Sequence, residues 1–150
     1  MKIRNYASLI LLWLIAVLTP SCSTADGDWD DMPQAVAGFV SQYFPSQGID
    51  SFTPLADGGC RIEVSGGVVL TFDADSEWSE IDGRGSTLPG VLIYDQLPER
   101  LYGYLLETEL TDEVYALSRD YRVYAVTVHD TVLTYDIHTG TVKYPPQENN

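Results

Sequence analysis

Leu70-Thr71-Phe72-Asp73 returns 63 residues later as Leu133-Thr134-Tyr135-Asp136, and the alternation around each copy decides how this chain folds. Before the first copy, Cys60-Arg61-Ile62-Glu63-Val64 alternates apolar and polar residues, and Ser65-Gly66-Gly67 separates it from the run that begins at Val68. Two such runs joined by glycines, which accept positive φ without steric cost, predict an antiparallel hairpin. Before the second copy, the segment from Arg122 to Val128 leads across His129-Asp130 into Thr131 to Tyr135, which is the same plan. A proline-led apolar segment also occurs twice, at Pro33 and at Pro98, 65 residues apart. An offset that drifts by two residues is what small turn insertions leave in a duplicated unit.

Working outward, Val36, Phe39, Val40, Tyr43 and Phe44 fall at helical spacing on one face. Pro33 suits the first turn of that helix, the preceding aspartates suit its positive end, and Pro45 stops it. Ile49 to Phe52 predicts a short strand before the turn at Asp57-Gly58-Gly59, and Trp78 and Ile81 predict another after the acidic turn at Asp73 to Glu77. Asp82 to Ser86, with two glycines, separates the halves, and the apolar Val91-Leu92-Ile93-Tyr94 is expected to be an extended connector. In the second half Pro98 opens a helix with Leu101, Tyr104 and Leu105 on one face; Val114 to Leu117, the hairpin, and Thr141 to Tyr144 supply the strands. The expected fold class is α+β: two tandem repeats, each one α-helix packed on an antiparallel β-meander of three to four strands. A half of roughly 60 residues buries little core alone, so the two are expected to share a sheet or pack together.

The amino terminus reads as an export signal. Lys2 and Arg4 precede an apolar run from Ala7 to Leu18, shorter than the roughly 20 residues a spanning helix needs. Thr19-Pro20-Ser21-Cys22 resembles the lipobox of bacterial lipoproteins, although Pro20 and Thr19 depart from its commonest form. That resemblance implies cleavage before Cys22 and a diacylglycerol on its sulfur, so that the protein sits on a membrane by its lipid alone. An ordinary secretory cut after Ser23-Thr24-Ala25 is the alternative. The expected organisation is a signal peptide over 1–21, the lipidated cysteine and an acidic tether over 22–31, a folded domain over 32–144 with repeats at about 32–82 and 97–144, and a tail over 145–150. Once Cys22 is acylated, Cys60 has no partner for a disulfide, and its place beside Ile62 and Val64 predicts a buried, structural thiol.

Charge excludes one class of partner. The 150 residues carry 8 cations against 22 acids, a net charge of −14, which becomes −16 once Lys2 and Arg4 leave. Nucleic-acid binding rests on basic groups that neutralise phosphates, so no nucleic-acid partner is expected. The balance disfavours anionic lipid and favours a basic protein surface, an envelope or extracellular partner in this context.

At this point the residues carry a resemblance. A proline-opened helix ending in Tyr43-Phe44-Pro45, then Ile49, an alternating strand, and Leu70-Thr71-Phe72-Asp73 with Trp78 resemble the PepSY-like, β-lactamase-inhibitor-like domain of bacterial envelope proteins. The likeness spans about Met32 to Tyr144 as both repeats. The second half departs from it, with Glu109-Leu110 in place of Phe44-Pro45 and Val142 roughly in place of Trp78. The resemblance implies tandem helix-on-sheet modules with a binding or inhibitory role and no catalysis. Inhibition of a β-lactamase does not carry over, because no inhibitory motif stands here to match.

No zinc spacing, phosphate loop or dinucleotide fingerprint occurs, and no cofactor, metal or enzymatic activity is expected. Asp73, Asp75 and Glu77 alternate like the start of a calcium loop. Trp78 and Arg84 then stand where an EF-hand needs glycine and glutamate, so a calcium-responsive structural protein is only an alternative. A hydrolase built on His129 or His138 is a weaker one, since no nucleophile elbow is present. The binding expectation has a location. If Cys60, Ile62, Val64, Leu70 and Phe72 face the helix, alternation turns Arg61, Glu63, Val69 and Thr71 to the other face, with Val123, Ala125, Thr127 and Thr134 in the second half. Tyr94, Tyr115 and Tyr121 are the candidate rim anchors of that face.

Overall fold

The computed structural model describes residues 29–144. The segments read as signal peptide, lipidated Cys22, tether as far as residue 28 and tail over 145–150 lie outside the described residues. A 3₁₀ turn at Trp29–Asp31 stands ahead of the expected start near Met32, and Met32 packs partly buried against the core.

Helix α1 (Gln34–Tyr43) is followed by β1 (Ile49–Pro54), β2 (Cys60–Val64), β3 (Val69–Phe72) and β4 (Trp78–Asp82). Two short helices, α2 (Gly90–Gln96) and α3 (Glu99–Glu107), and a 3₁₀ turn at Thr111–Glu113 intervene. The chain then forms β5 (Val114–Arg119), β6 (Val123–Val128), β7 (Thr131–Asp136) and β8 (Thr141–Lys143). All eight strands make one antiparallel sheet in strict chain order. The fold class is therefore α+β, with the three α-helices of the described residues on one face of a single sheet.

One row of side chains holds the sheet to the helices. Phe52, Ile62, Leu70, Ile81, Leu117, Val126 and Leu133 are successive cross-strand partners, and none is more than 3% exposed. Val36, Val40 and Tyr43 of α1, Leu92 and Ile93 of α2, and Leu101 and Leu105 of α3 close over this row in one continuous core. Burying side chains of this size contributes about 1.5–3 kcal/mol each, which outweighs the poor intrinsic stability of helices this short. The link between the halves is the β4–β5 ladder, where Glu80, Ile81 and Asp82 pair with Ser118, Leu117 and Ala116.

Two expectations are corrected here. Val91-Leu92-Ile93-Tyr94 is not an extended connector but the body of α2. Its β-branched and aromatic residues favour a strand locally, yet Leu88, Leu92, Ile93 and Leu97 gain complete burial only when the segment coils, and tertiary packing overrides propensity. Pro33 and Pro98 stand one residue earlier than expected, as N-caps, and Pro89 caps the unforeseen α2 in the same way, with φ near −56°, −54° and −59° and extended ψ. A proline-led start thus marks every helix of the described residues, not only the two at the 65-residue offset.

Candidate functional site

The sheet face away from the helices is assembled by the register. Arg61 pairs with Thr71, Thr71 with Glu80, Glu80 with Ser118, Ser118 with Ala125 and Ala125 with Thr134, so one row crosses six strands. A second row runs Glu63, Val69, Asp82, Ala116, Thr127 and Val132. Val123, opposite Asp136, begins a third. The eight residues assigned to this face by alternation therefore lie together across both halves. Among the described residues no helix covers them, and their character changes across the sheet. The β2–β4 side holds Arg61, Glu63, Glu80 and Asp82, whereas the β5–β7 side is short and uncharged at Ala116, Ser118, Ala125, Thr127 and Thr134.

Val69 is only 4% exposed, which corrects its reading as an available contact. A branched three-carbon side chain in mid-sheet, flanked by Glu63 and Asp82 at cross-strand distance, presents little surface. It stands outside the helix-covered core, so its burial belongs to the open face. Of the candidate rim anchors, Tyr94 is on α2 in the helical layer, its ring edge-on to Tyr102 at 5.2 Å, and cannot border the open face. Tyr115 is the bulged residue of β5, between the paired Val114 and Ala116, and its ring lies 6.3 Å from that of His129. Tyr121, 87% exposed, projects from the β5–β6 turn.

The aspartates have a structural use that composition conceals. Asp57, Asp73, Asp82, Asp120 and Asp136 each accept hydrogen bonds from backbone N–H groups two to four residues ahead, closing four turns between strands and, at Asp82, the turn that leads from β4 towards α2. At Asp73 a single oxygen takes the amides of Asp75 and Glu77, both at 2.9 Å, so the carboxylate that would begin a calcium loop closes its own turn through that oxygen. The amides of Arg122 and Val123 hold the Asp120 carboxyl below the usual carboxylate range. The Thr139 amide, helped by Arg122, does the same at Asp136. Among the described residues no three His, Cys, Asp or Glu side chains converge in a metal-binding arrangement.

His129 and His138 stand in the turns before and after β7. The strand between them is about 20 Å long at roughly 3.4 Å per residue, so no cleft gathers both. His129 pairs with Glu113 and takes a positive φ of 49° in its turn. Cys60 is 4% exposed among the core residues, and burial pushes its thiol pKa up, away from reactivity.

Sequence reasoning missed a polar joint beneath the helices. Trp78 Nε1 donates to Gln96 Oε1 at 2.7 Å, Gln96 Nε2 donates to the Tyr43 hydroxyl at 2.7 Å, and that hydroxyl donates to Asp95 at 3.2 Å. Burial pushes the Tyr43 phenol above its ordinary range. On the other side of the indole, Arg119 donates to the Trp78 carbonyl at 2.7 Å and to Glu77 at 2.6 Å, with its guanidinium 4.4 Å from the ring centroid. Only the isolated Trp78 hinted at this; its partners come from three other elements.

These features define a helix-backed antiparallel meander with an open, mixed face. No protein-family model matches the chain, and no curated protein matches it. Solved structures do. It is similar to a periplasmic protein of Bacteroides thetaiotaomicron described as calcium-regulated, at 21% identity and a TM-score of 0.65 over 79% of this chain and 94% of that one. A Bacteroides vulgatus periplasmic protein of the DUF2874 family gives 20% identity and the same TM-score, over 79% of this chain and 92% of its own. Another B. vulgatus periplasmic protein, of unknown function, gives 18% identity and a TM-score of 0.65 over 78% and 94%. At such identities the likeness is one of fold. Among the described residues no helix is long and apolar enough to cross a membrane.

Proposed function

We propose that this chain is a non-catalytic, lipid-anchored protein of the bacterial cell envelope whose tandem PepSY-like domain binds another protein on its open sheet face. The observation that carries the reading is the pair of cross-strand rows, which form an uncovered and mostly short-chained surface across both halves. Tandem duplication is supported by the bulges in β1 and β5, which fall between Ile49 and Ser51 and between Val114 and Ala116, 65 residues apart. It is supported also by the Phe72–Trp78 and Tyr135–Val142 pairs, which stand at equivalent places in each meander. Export is supported by the amino-terminal pattern and by the periplasmic description of the similar structures. The Cys22 anchor rests on the lipobox resemblance. The separation of the two histidines across β7 weighs against a hydrolase site that would use both.

The test immobilises the mature protein and its Arg61→Ala plus Thr127→Arg variant against envelope extract. A protein retained by the first and lost by the second supports the reading; equal retention sinks it. A calcium-responsive role is the second reading, favoured by the description of one similar structure as calcium-regulated. A melting temperature that rises with added calcium supports it, because a ligand held only by the folded state must stabilise that state, and an unmoved melt removes it.

A further inference from the structure

The helical layer carries a surface of its own. Val91 and Tyr94 lie three residues apart on α2, Tyr102 and Leu106 four apart on α3, so each pair shares one helix face. The rings of Tyr94 and Tyr102 meet edge to face at 5.2 Å and join the two pairs into one stripe. Val91, Tyr94 and Leu106 are 54%, 64% and 57% exposed, and none of the three is needed to fill the core. A contiguous exposed apolar stripe marks an interaction surface, and tyrosine is among the residues enriched at interfaces.

The charge around the stripe is one-sided. Asp95, Glu99, Glu107 and Glu109 stand on or beside these helices, and Arg100 is the single cation from Gly90 to Glu109. Arg100 lies over Gly140 in the β7–β8 turn, in a hollow it shares with Glu99 and Glu107, and Asp95 accepts the Tyr43 hydroxyl, so what complements a cation here is the net negative field of the helical layer. We infer that the Val91–Tyr94–Tyr102–Leu106 stripe docks a lysine- or arginine-bearing amphipathic segment of another protein. Its apolar side chains lie along the stripe while its cations meet the tyrosine faces and the negative field of the layer. A second copy of this chain would bring like charge against like charge, and an anionic lipid surface would do the same. The inference stands apart from the open-face reading, which concerns the opposite side of the sheet.

The probe is a synthetic amphipathic leucine–lysine helix of about five turns, titrated into isotopically labelled mature protein. Amide shifts confined to α2 and α3 are expected, with affinity lowered at least about tenfold by Tyr94→Ser plus Leu106→Ser, unchanged by Arg61→Ala plus Thr127→Arg, and absent for the leucine–glutamate counterpart. Because both serine substitutions fall at exposed positions, an unchanged far-UV spectrum is expected of that variant. Equal affinity for the serine variant would reduce the effect to net charge and overturn the inference. So would co-sedimentation with phosphatidylcholine vesicles, or concentration-dependent dimerisation, that the same two substitutions abolish.

Discussion

Arg119→Ala is expected to loosen the join between the two halves of the sheet. Backbone pairing of β4 with β5 stops at Glu80 and Ser118, and Arg119, the next residue of β5, sends its side chain to the carbonyl of Trp78 where a backbone donor would otherwise stand. A hydrogen bond from a charged donor contributes about 1.5–3 kcal/mol. A guanidinium at 4.4 Å over an indole, with the Arg119 side chain 21% exposed, adds about 1 kcal/mol. The pair with Glu77, whose side chain is 67% exposed, adds little. The expected loss is about 3 kcal/mol, a fall in melting temperature of about 10 °C for a domain of this size. Urea unfolding of the protein, followed by far-UV circular dichroism and tryptophan emission, measures it. Arg119→Lys should restore less than half, because an ammonium keeps the charge but neither the fork nor the stacking plane. An alanine variant within about 0.5 kcal/mol of the parent, or a lysine variant fully restored, would refute the reasoning.

Gly83→Ala should destabilise through the backbone: a Cβ there would meet the carbonyl oxygens of Ser86 at 2.1 Å and Tyr115 at 2.8 Å, neither of which can move without breaking the turn after β4. A loss of about 1–3 kcal/mol or more is expected in a thermal melt, and an unchanged midpoint would contradict the geometry. Asp136→Asn tests the turn charges. The folded state holds this carboxyl below its unfolded value, so its stabilisation is complete above the ordinary carboxylate range near pH 4 and is lost as pH falls through the lowered folded value. The asparagine variant should therefore lose less stability than the parent between about pH 5 and pH 2; superimposable acid profiles would show that Asp136 is not held low.

Alternation made the hairpins legible because its period of two fixes which side chains share a face, and Ile62, Val64, Leu70, Phe72, Val126, Leu133 and Tyr135 are all buried. The same parity placed the open face. It could not show that Glu80 would meet Ser118, since that contact joins elements nearly forty residues apart with two helices between them. Nor could it show α2, whose residues favour a strand until Leu92 and Ile93 find the core. Val69 was legible in direction but not in exposure, which depends on its neighbours across the sheet. The polar joint at Trp78 was hidden for a different reason: Gln96, Tyr43 and Arg119 are ordinary in isolation, and only packing aligns them around one indole.

Strand order that follows chain order has a kinetic consequence. Within β1–β4 and within β5–β8, each strand meets its neighbour across a short turn, so each strip can zip from local hairpins with little loss of chain entropy. Only the closure of β4 on β5 must wait for about thirty intervening residues to find their place. That closure is expected to come last in folding and first in partial opening. Ile81 and Leu117 then mark the line along which the molecule parts into two strips before either strip melts.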